Sequence, residues 1–458
     1  MKTDTIAAIA TALSNAGLSI VRISGDEAFD IIDRIYVSKN GKKVLSKQPS
    51  HTIHYGFIKD GEEVIDEVMV SIMKAPATYT KENVVEINCH GGVIVTKKIL
   101  QTIIKYGARI AEPGEFTKRA FLNGRIDLSQ AEAVIDIIHA KSEYALSSSL
   151  SQLKGSVLEK VKEIRDSVIY DIAYIEAALD DPEHIIIEEY TDELTTHVKT
   201  TIASIENLLA TADNGKIISE GIKTAIVGKP NAGKSSLLNN LVGEDRAIVT
   251  DIAGTTRDTL EETIQLHGVV LNIIDTAGIR NTEDVVEKIG VDRAKKVANN
   301  ADLVLYVIDG SRELDKNDYE IMELIKDRKA IVLVNKSDLN QVVDIDEIKK
   351  LTNKEVIIIS AKNNTNIETL EKTVESMFIN GKLSFNDEVY ITNVRHKTAL
   401  EESLVSAKQV LYSIESGMPE DFYTIDLMNA YARLGEIIGE EVGEDLVNTI
   451  FQKFCMGK

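Results

Sequence analysis

The chain has 458 residues, too many for one hydrophobic core, so its length predicts about two to four domains. Hydrophobic residues make up 43% and charged residues 27% of the sequence, a balance typical of soluble globular proteins rather than disordered ones. The formal net charge of −21 argues against broad, non-specific binding to nucleic acids or anionic membranes. Any such contact requires a local basic patch assembled by folding.

The two cysteines, Cys89 and Cys455, are far apart in sequence and match neither a metal-binding spacing nor a disulfide framework. We therefore expect a reducing, cytoplasmic environment. The apolar stretch 5–13 follows only one basic residue, Lys2, and leads directly into a strand-like segment, so we interpret it as folded protein and not as a signal peptide. No apolar run approaches the roughly 18 to 20 residues of a membrane-spanning helix, and we expect no membrane contact.

Residues 1–119 mix short β-branched runs with helical patterns. Ser19–Ile23, Val68–Met73 and Val84–Asn88 are typical of strands, whereas Val93–Lys105 is typical of a helix. Turn-forming pairs such as Asn-Gly, Asp-Gly and Pro-Gly separate these segments. This region is predicted to be an α+β domain.

From Leu128 onward, apolar residues recur every three or four positions, which predicts a long helix with one apolar face. Such a face packs inside its own domain or forms an intermolecular coiled coil, and we favour the first interpretation. The residues of this stripe are Leu150, Leu153, Val157, Val161, Ile164, Val168, Ile172 and Ile175.

Between residues 217 and 383, apolar strands alternate with helical segments, a pattern that predicts a parallel sheet covered on both faces. Helical periodicity resumes from Lys397 to Phe454. We therefore predict that the α/β domain is inserted into a helical domain whose halves are residues 120–216 and 384–458. The predicted strands are Thr224–Val227, Val269–Ile274, Leu303–Ile308, Ile331–Val334 and Val356–Ile359.

A phosphate-binding loop follows the first of these strands. Residues 228–235 read Gly-Lys-Pro-Asn-Ala-Gly-Lys-Ser, between a strand and a helix as the motif requires. Glycines let backbone N–H groups turn toward phosphates, and the helix N-terminus adds its positive end. We expect Lys234 to reach the β- and γ-phosphates and Ser235 to ligate Mg²⁺. By itself, this motif indicates only a nucleotide phosphatase or kinase.

Two further motifs are suited to the metal and the γ-phosphate. Asp275-Thr276-Ala277-Gly278 follows a predicted strand, where the Asp can hold Mg²⁺ through water and the Gly N–H can contact the γ-phosphate. Upstream, Thr256 supplies a hydroxyl that can complete the Mg²⁺ shell. An ordinary turn is the alternative at either place, but the order and spacing favour the nucleotide site.

Base identity is predicted from Asn335-Lys336-Ser337-Asp338. The Asp338 carboxylate can accept both N–H donors on one edge of guanine, which adenine does not offer, and the Lys336 stem can cover the ring. Ser360-Ala361-Lys362 follows the last strand and places backbone donors near the guanine carbonyl. The complete set therefore predicts GTP binding and hydrolysis.

The residue after Gly278 is Ile279, where Ras-like enzymes have a water-orienting Gln. Hydrolysis must then be assisted in another way. One hypothesis is that Glu287, or a neighbouring acid in segment 283–288, positions the water while a cation replaces an arginine finger. The alternative is that this segment is a solvated acidic face.

Together, these motifs resemble the MnmE (TrmE) family of tRNA uridine-modification GTPases over nearly the whole chain. The further matching segments are Val21-Arg22-Ile23-Ser24-Gly25, His90-Gly91-Gly92, the run from Pro113 to Gly124, Leu128-Ser129-Gln130-Ala131-Glu132-Ala133 and the terminal Cys455-Met456-Gly457-Lys458.

The resemblance implies a multidomain fold: an N-terminal α+β folate-binding domain that also dimerises, a discontinuous helical domain and an inserted Ras-like P-loop GTPase domain. It implies a homodimer that works with MnmG (GidA), an FAD- and NADH-using protein. The pair would add a carboxymethylaminomethyl or aminomethyl group to C5 of the wobble uridine of certain tRNAs. The one-carbon unit would come from 5-formyl- or 5,10-methylene-tetrahydrofolate.

The same resemblance assigns the cations of the GTPase site. Mg²⁺ would be held by Ser235 and Thr256. K⁺ would be bound by the Asn231 side chain and by backbone oxygens of Thr250, Ile252 and Thr255, and it would take the place of an arginine finger once two G domains meet face to face. The motifs and the resemblance together predict GTP contacts from Asn231, Ala232, Gly233, Lys234, Ser235, Ser236, Thr250, Asp251, Ile252, Ala253, Gly254, Thr255, Thr256, Asp275, Thr276, Ala277, Gly278, Asn335, Lys336, Asp338, Ser360, Ala361 and Lys362.

By the resemblance, Arg22, Glu86, Arg125 and Lys458 form the folate site. Basic groups can pair with the glutamate carboxylates of folate, and Glu86 can accept from the pterin N–H groups. Cys455 would lie near the one-carbon chemistry, where it is a nucleophile if its pKa is lowered or an inert thiol otherwise.

A competing interpretation is a regulatory or assembly GTPase without one-carbon chemistry, whose nucleotide state switches binding to a ribosome or another partner. The terminal Cys-Met-Gly-Lys and the segment 119–125 favour the modification enzyme, because a switch has no need of them.

Overall fold

A computed structural model gives the structure of the chain and describes residues 4–181, 183–184, 187–246, 262–266, 269–274, 297–378, 389–440, 442–452, 454–455 and 457. The chain divides into two compact units. One contains residues 1–138, 151–202 and 402–458, and the other contains residues 139–150 and 203–401. The second unit is thus inserted into the first. The finer domain boundaries expected from the sequence stay predictions.

The first unit contains a seven-stranded sheet in the order β3-β4-β5-β6-β2-β1-β7. Neighbouring strands are antiparallel except β1 and β7, which are parallel. The strands are β1 Ile6–Ile9, β2 Ala16–Ser24, β3 Tyr36–Ser38, β4 Thr52–Asp60, β5 Glu63–Met73, β6 Val84–Gly91 and β7 Arg109–Ile110.

One face of this sheet forms a core because apolar side chains alternate along its strands. In β5, Val68, Val70 and Ile72 are buried, whereas the intervening Met69 is exposed. Helices α1 Ala28–Ile35 and α2 Val93–Lys105 supply the other side of the same core. The predicted α+β character of this region is therefore confirmed.

The remaining helices before the second sheet are α3 Glu115–Leu122, α4 Leu128–His139, α5 Glu143–Leu153, α6 Ser156–Asp180, α7 Ile187–Ala210 and α8 Ala212–Glu220. The apolar stripe predicted as one helix spans two of them. Gly155, with φ of 104°, separates α5 from α6, because a left-handed residue cannot continue a right-handed helix.

The C-terminal part of that stripe packs within the chain. Val168, Ile172 and Ile175 of α6 contact buried residues of α7 and of the helices near the C-terminus. This packing supports the own-domain interpretation over an intermolecular coiled coil. The C-terminal helices are α13 Val394–Glu415, α14 Glu420–Ile438 and α15 Glu444–Phe451.

The second unit contains a six-stranded sheet in the order β13-β12-β11-β8-β10-β9. Its strands are parallel, as predicted, except that the edge strand β9 pairs antiparallel with β10. The strands are β8 Ile222–Val227, β9 Glu262–Leu266, β10 Val269–Ile273, β11 Leu303–Asp309, β12 Ala330–Asn335 and β13 Glu355–Ile358.

Helices cover both faces of this sheet, as its nearly continuous apolar strands predict. Ile222 and Ile226 of β8 belong to one core, and Ala225 and Val227 of the same strand belong to the other. Helices α9 Lys234–Arg246 and α12 Ile367–Phe378 contribute to the first core, and α10 Lys316–Ile325 and α11 Ile345–Thr352 to the second.

Cys89 is buried and Cys455 is exposed, and both are free thiols. Within the described ranges, no helix combines the length and apolar character that crossing a bilayer requires.

Asp136 on α4 provides a test of this fold. Burial raises the pKa of Asp136 to about 6, and the nearby Glu132 carboxylate adds to this effect. Because the folded-state pKa lies above the unfolded value, the native state loses stability as pH rises through about 6. We expect Asp136→Asn to stabilise the chain by about 2 kcal/mol at pH 7.5 and by almost nothing at pH 4, measured by thermal unfolding.

The control is Asp166→Asn, which changes an exposed carboxylate on α6. A stability gain from Asp136→Asn that does not depend on pH, or no gain at all, would contradict the raised pKa of this half-buried carboxyl group.

Candidate nucleotide and C-terminal tail sites

The phosphate-binding loop lies between the end of β8 and the start of α9, as the sequence predicts. The two glycines of this loop, Gly228 and Gly233, have positive φ angles and no room for a side chain. A Cβ on Gly228 would lie 2.3 Å from the Val307 carbonyl oxygen, and one on Gly233 would lie 2.0 Å from Asn335 Nδ2. The loop backbone is thus fixed against two neighbouring strands, β11 and β12.

Lys234 folds back over this loop. Its Nζ donates to the carbonyl oxygens of Gly228 at 2.8 Å and Lys229 at 2.7 Å. Burial lowers the pKa of Lys234 to about 8. An anionic phosphate beside the ammonium would favour its charged form, so the loop and its lysine are suited to a phosphate ligand.

The side chain of Asn335 joins the loops at the carboxyl edge of the sheet. Its Nδ2 donates to the Ala232 carbonyl at 2.8 Å, and its Oδ1 accepts from the Ala361 N–H at 2.9 Å. Asn240 of α9 also donates to the Ala361 carbonyl. The phosphate loop and the loop after β13 are therefore held against the same residue.

Asp338 is oriented by the loop after β13. Its Oδ1 accepts from Ser360 Oγ at 2.6 Å, and this hydrogen bond lowers the pKa of Asp338. Ser360 Oγ in turn accepts from the Asn363 N–H at 3.2 Å. An ionised, oriented carboxylate at this edge can accept two neighbouring N–H donors of a base.

Lys336 adopts a φ of 67° and places its Nζ 2.6 Å from Asp309 Oδ2. Burial alone would raise the pKa of Asp309, but hydrogen bonds from Lys336 and Ser311 outweigh burial and lower it. Sequence analysis did not single out Asp309. An acid that ends an apolar parallel strand is a signal that could have identified it.

The structure therefore brings the predicted residues 231–236, 335–338 and 360–362 to one edge of the sheet. Other predicted residues lie outside the described residues: Thr250, Asp251, Ile252, Ala253, Gly254, Thr255, Thr256, Asp275, Thr276, Ala277, Gly278 and Glu287. The strand that precedes Asp275, β10, is parallel to β8 and adjacent to it, so it leads toward the same edge.

A second group of predicted residues meets on the first unit. Arg22 of β2 and Glu86 of β6 are direct cross-strand partners, and Arg22 Nε donates to Glu86 Oε1 at 2.8 Å. Their side chains are 17% and 23% exposed, so the pair is reachable from solvent.

Tyr79 lies beneath both arginines of this group. The guanidinium carbon of Arg125 lies 4.7 Å from the centre of the Tyr79 ring, and that of Arg22 lies 5.7 Å from it. Tyr79 Oη is 2.9 Å from Thr117 Oγ1. Sequence analysis missed Tyr79, although a single aromatic residue in the otherwise polar stretch 78–83 is a usable signal.

The C-terminal tail reaches this group. Arg22 Nη1 donates to the Gly457 carbonyl at 3.0 Å, and the Gly114 N–H donates to the Cys455 carbonyl at 3.3 Å. Gly457 has a φ of 94°, and a Cβ there would lie 2.4 Å from the Ile9 carbonyl oxygen. The tail is thus fitted closely to β1, while Lys458 lies outside the described residues.

Comparisons with known families match both parts of the chain. The profile described as "GTP-binding protein TrmE N-terminus" matches residues 5–125, and that described as "MnmE helical domain" matches residues 128–455. A solved structure described as Era in complex with MgGDPNP and a 16S ribosomal RNA fragment is 31% identical over 40% of this chain and 66% of that chain. The TM-score of this match is 0.27.

Curated relatives match over the full length. A protein from Lachnoclostridium phytofermentans is 64% identical over 100% of both chains, and one from Alkaliphilus metalliredigens is 51% identical over 99% of both. A protein from Enterococcus faecalis is 46% identical over 100% of this chain and 99% of its own. Each is named "tRNA modification GTPase MnmE". The chain therefore belongs to the MnmE family of tRNA modification GTPases.

Proposed function

We propose that the chain hydrolyses GTP at the carboxyl edge of the second sheet and uses that hydrolysis in modifying the wobble uridine of tRNA. The main support for the GTP site is the pair of hydrogen bonds by which the Asn335 side chain bridges Ala232 and Ala361. With this bridge, Lys234 and Asp338 belong to one connected set of loops. Family membership supports the reaction and the tRNA substrate.

Guanine selectivity belongs to Asp338 in this proposal. An ionised carboxylate accepts from the ring N–H and the amino group of guanine, and adenine presents no such pair of donors. The hydrogen bond from Ser360 keeps the carboxylate oriented and lowers its pKa, so it stays an acceptor at neutral pH. Lys336 covers the base with its aliphatic stem.

Lys234 pairs with the β- and γ-phosphates, for which it gives up its contacts with the loop carbonyls. The hydroxyls of Ser235, at the start of α9, and Thr256 are the proposed ligands of Mg²⁺. Hydroxyl oxygens are the hard ligands that this ion prefers. When bound, Mg²⁺ supplies charge against the phosphates, and the chain's part is to hold the donors in place.

Asn231 is the described member of the proposed K⁺ site. It is exposed and has a φ of 63°, so its side chain lies at the surface of the phosphate loop. The other proposed ligands are backbone oxygens of Thr250, Ile252 and Thr255. Once two G domains meet, a K⁺ held by these ligands would supply the positive charge that an arginine finger gives in other GTPases, and Glu287 would position the water.

The folate site is proposed around Tyr79, where Arg22 and Arg125 offer cations for glutamate carboxylates and Glu86 offers an acceptor for the pterin. Lys458 completes the site. The contact of Arg22 with the Gly457 carbonyl supports a place for the tail here, which brings Cys455 into the same region.

The proposed one-carbon donor at this site is 5-formyl- or 5,10-methylene-tetrahydrofolate. In this proposal the chain works as a homodimer, and its partner on tRNA is MnmG (GidA), which carries FAD.

Asp338→Asn tests the guanine contact. The amide places a donor where the carboxylate accepted, so we expect GTP affinity to fall by about 100-fold and xanthosine triphosphate, which has a carbonyl at that edge, to bind better than GTP. Displacement of a fluorescent guanine nucleotide measures both affinities. Asp346→Asn, an exposed carboxylate at the start of α11, is the control. Unchanged GTP preference in Asp338→Asn would contradict the base contact.

Hydrolysis in KCl and NaCl of equal ionic strength tests the cation scheme. We expect the wild-type rate to be about 10-fold or more higher in KCl, and Asn231→Gly to remove the difference. Glycine is used because it accepts the positive φ without strain. Asn353→Gly, at another asparagine with positive φ, is the matched control. Equal wild-type rates in the two salts would show that the cation scheme is wrong.

Titration of the full chain with 5-formyl-tetrahydrofolate tests the second site and the competing function. We expect the wild type to bind and Arg125→Gln to bind about 10-fold more weakly, because one charge-assisted contact is lost. Arg34→Gln, on the exposed side of α1, should bind like the wild type. If the wild type fails to bind, a GTPase switch without one-carbon chemistry becomes the better interpretation.

A further inference from the structure

Lys229 is a residue of the phosphate loop to which the predicted site gives no role. It is the second residue of the motif, and its ammonium does not turn toward the ligand side of the loop. Instead, Nζ lies 2.8 Å from Asp315 Oδ2 and 2.6 Å from Asp318 Oδ2. Both acids lie at the start of α10, which follows β11 in the chain, whereas Lys229 precedes β11.

The acceptor of this contact is rigid. The Asp318 side chain is only 3% exposed, and its Oδ1 accepts from the hydroxyl of Tyr306, a buried residue of β11, at 2.9 Å. Its Oδ2 also accepts from the Asp315 N–H at 3.1 Å in a capping box that fixes the first turn of α10. A pair with a buried, fully hydrogen-bonded carboxylate constrains geometry more than an exposed ion pair does.

The same part of the chain also holds residues 335–338, which we call the base-recognition loop. We define the connecting loop as residues 310–315, between β11 and α10. Directly before this loop, Asp309, the last residue of β11, accepts from Lys336 Nζ at 2.6 Å. At the end of the loop, Asp315 contacts Lys229. Lys336 of the base-recognition loop thus contacts the residue just before the connecting loop, and Lys229 of the phosphate loop contacts the last residue of that loop.

We propose that Lys229 and Asp318 are positioning residues, which fix the phosphate loop to the first turn of α10 and, through the connecting loop, hold it at a constant distance from the base-recognition loop. The inference rests on the proposed GTP site. Neither side chain contacts the nucleotide in this scheme. Their pair keeps the loop backbone in the conformation that phosphates require, so its loss acts chiefly on how long the nucleotide stays bound.

Dissociation of a fluorescent GDP from the full chain, measured by stopped flow, is the primary readout, and thermal unfolding of the nucleotide-free chain is the second. We expect Lys229→Met to raise the dissociation rate by about 10-fold, because the loop is released. Lys229→Arg should restore most of the wild-type rate, since its guanidinium can reach the same carboxylates. Lys223→Met, at an exposed lysine of β8, is the control and should change neither quantity.

Lys229→Met leaves the buried Asp318 carboxylate without its cation, and this alone can lower the stability of the fold. A second variant therefore separates a loss of stability from a specific effect on nucleotide dissociation. The double variant Lys229→Met with Asp318→Asn removes this buried charge. Because an Asn side chain keeps only one of the two acceptor oxygens of Asp318, we expect it to recover part of the thermal stability lost in Lys229→Met while keeping the fast dissociation rate. Recovery of both quantities together would overturn the positioning role.

The outcomes also separate this inference from the GTP site itself. If the wild type binds guanine nucleotide and Lys229→Met releases it at the wild-type rate, the inference fails and the GTP site stands. If the wild type binds no guanine nucleotide, the proposed site fails, and the inference fails with it.

Discussion

The nucleotide site depends above all on one buried side-chain amide. Asn335 is 2% exposed and uses both ends of its amide, one on the phosphate loop and one on the loop after β13. A buried polar group without a partner costs about 1–3 kcal/mol, and loss of this amide would leave two such groups, the Ala232 carbonyl and the Ala361 N–H. The relative position of the two loops therefore follows from satisfying ordinary backbone hydrogen bonds.

Around this bridge, charged pairs restrict the remaining freedom of the loops. Lys336 is held by Asp309, and Lys229 is held by Asp315 and the buried Asp318. These contacts leave Lys234 as the phosphate-loop lysine that turns back over the loop carbonyls. The three lysines thus differ in role because carboxylates in and beside the connection between β11 and α10 pair with Lys336 and Lys229 but not with Lys234.

The first unit uses the same principle with different partners. Arg22 joins Glu86 on a neighbouring strand to the carbonyl of Gly457 at the far end of the chain, and it shares the ring of Tyr79 with Arg125. Two cations close together are tolerated there because a carboxylate, a carbonyl and an aromatic face surround them. This arrangement leaves a charged, partly exposed surface beside the C-terminal tail.

Local sequence was enough to predict three strands of the first sheet, five of the six strands of the second sheet, the phosphate loop between β8 and α9, and the base-recognition residues at the end of β12. Such motifs are readable because backbone geometry and periodicity are set by neighbours along the chain. The folded structure was needed to reveal the break at Gly155, the antiparallel edge strand β9, the place of Tyr79 and the pairing of Lys229 with Asp318. The last two features depend on which distant segments meet, and the spacing of a polar residue along the chain does not specify the partner that folding brings to it.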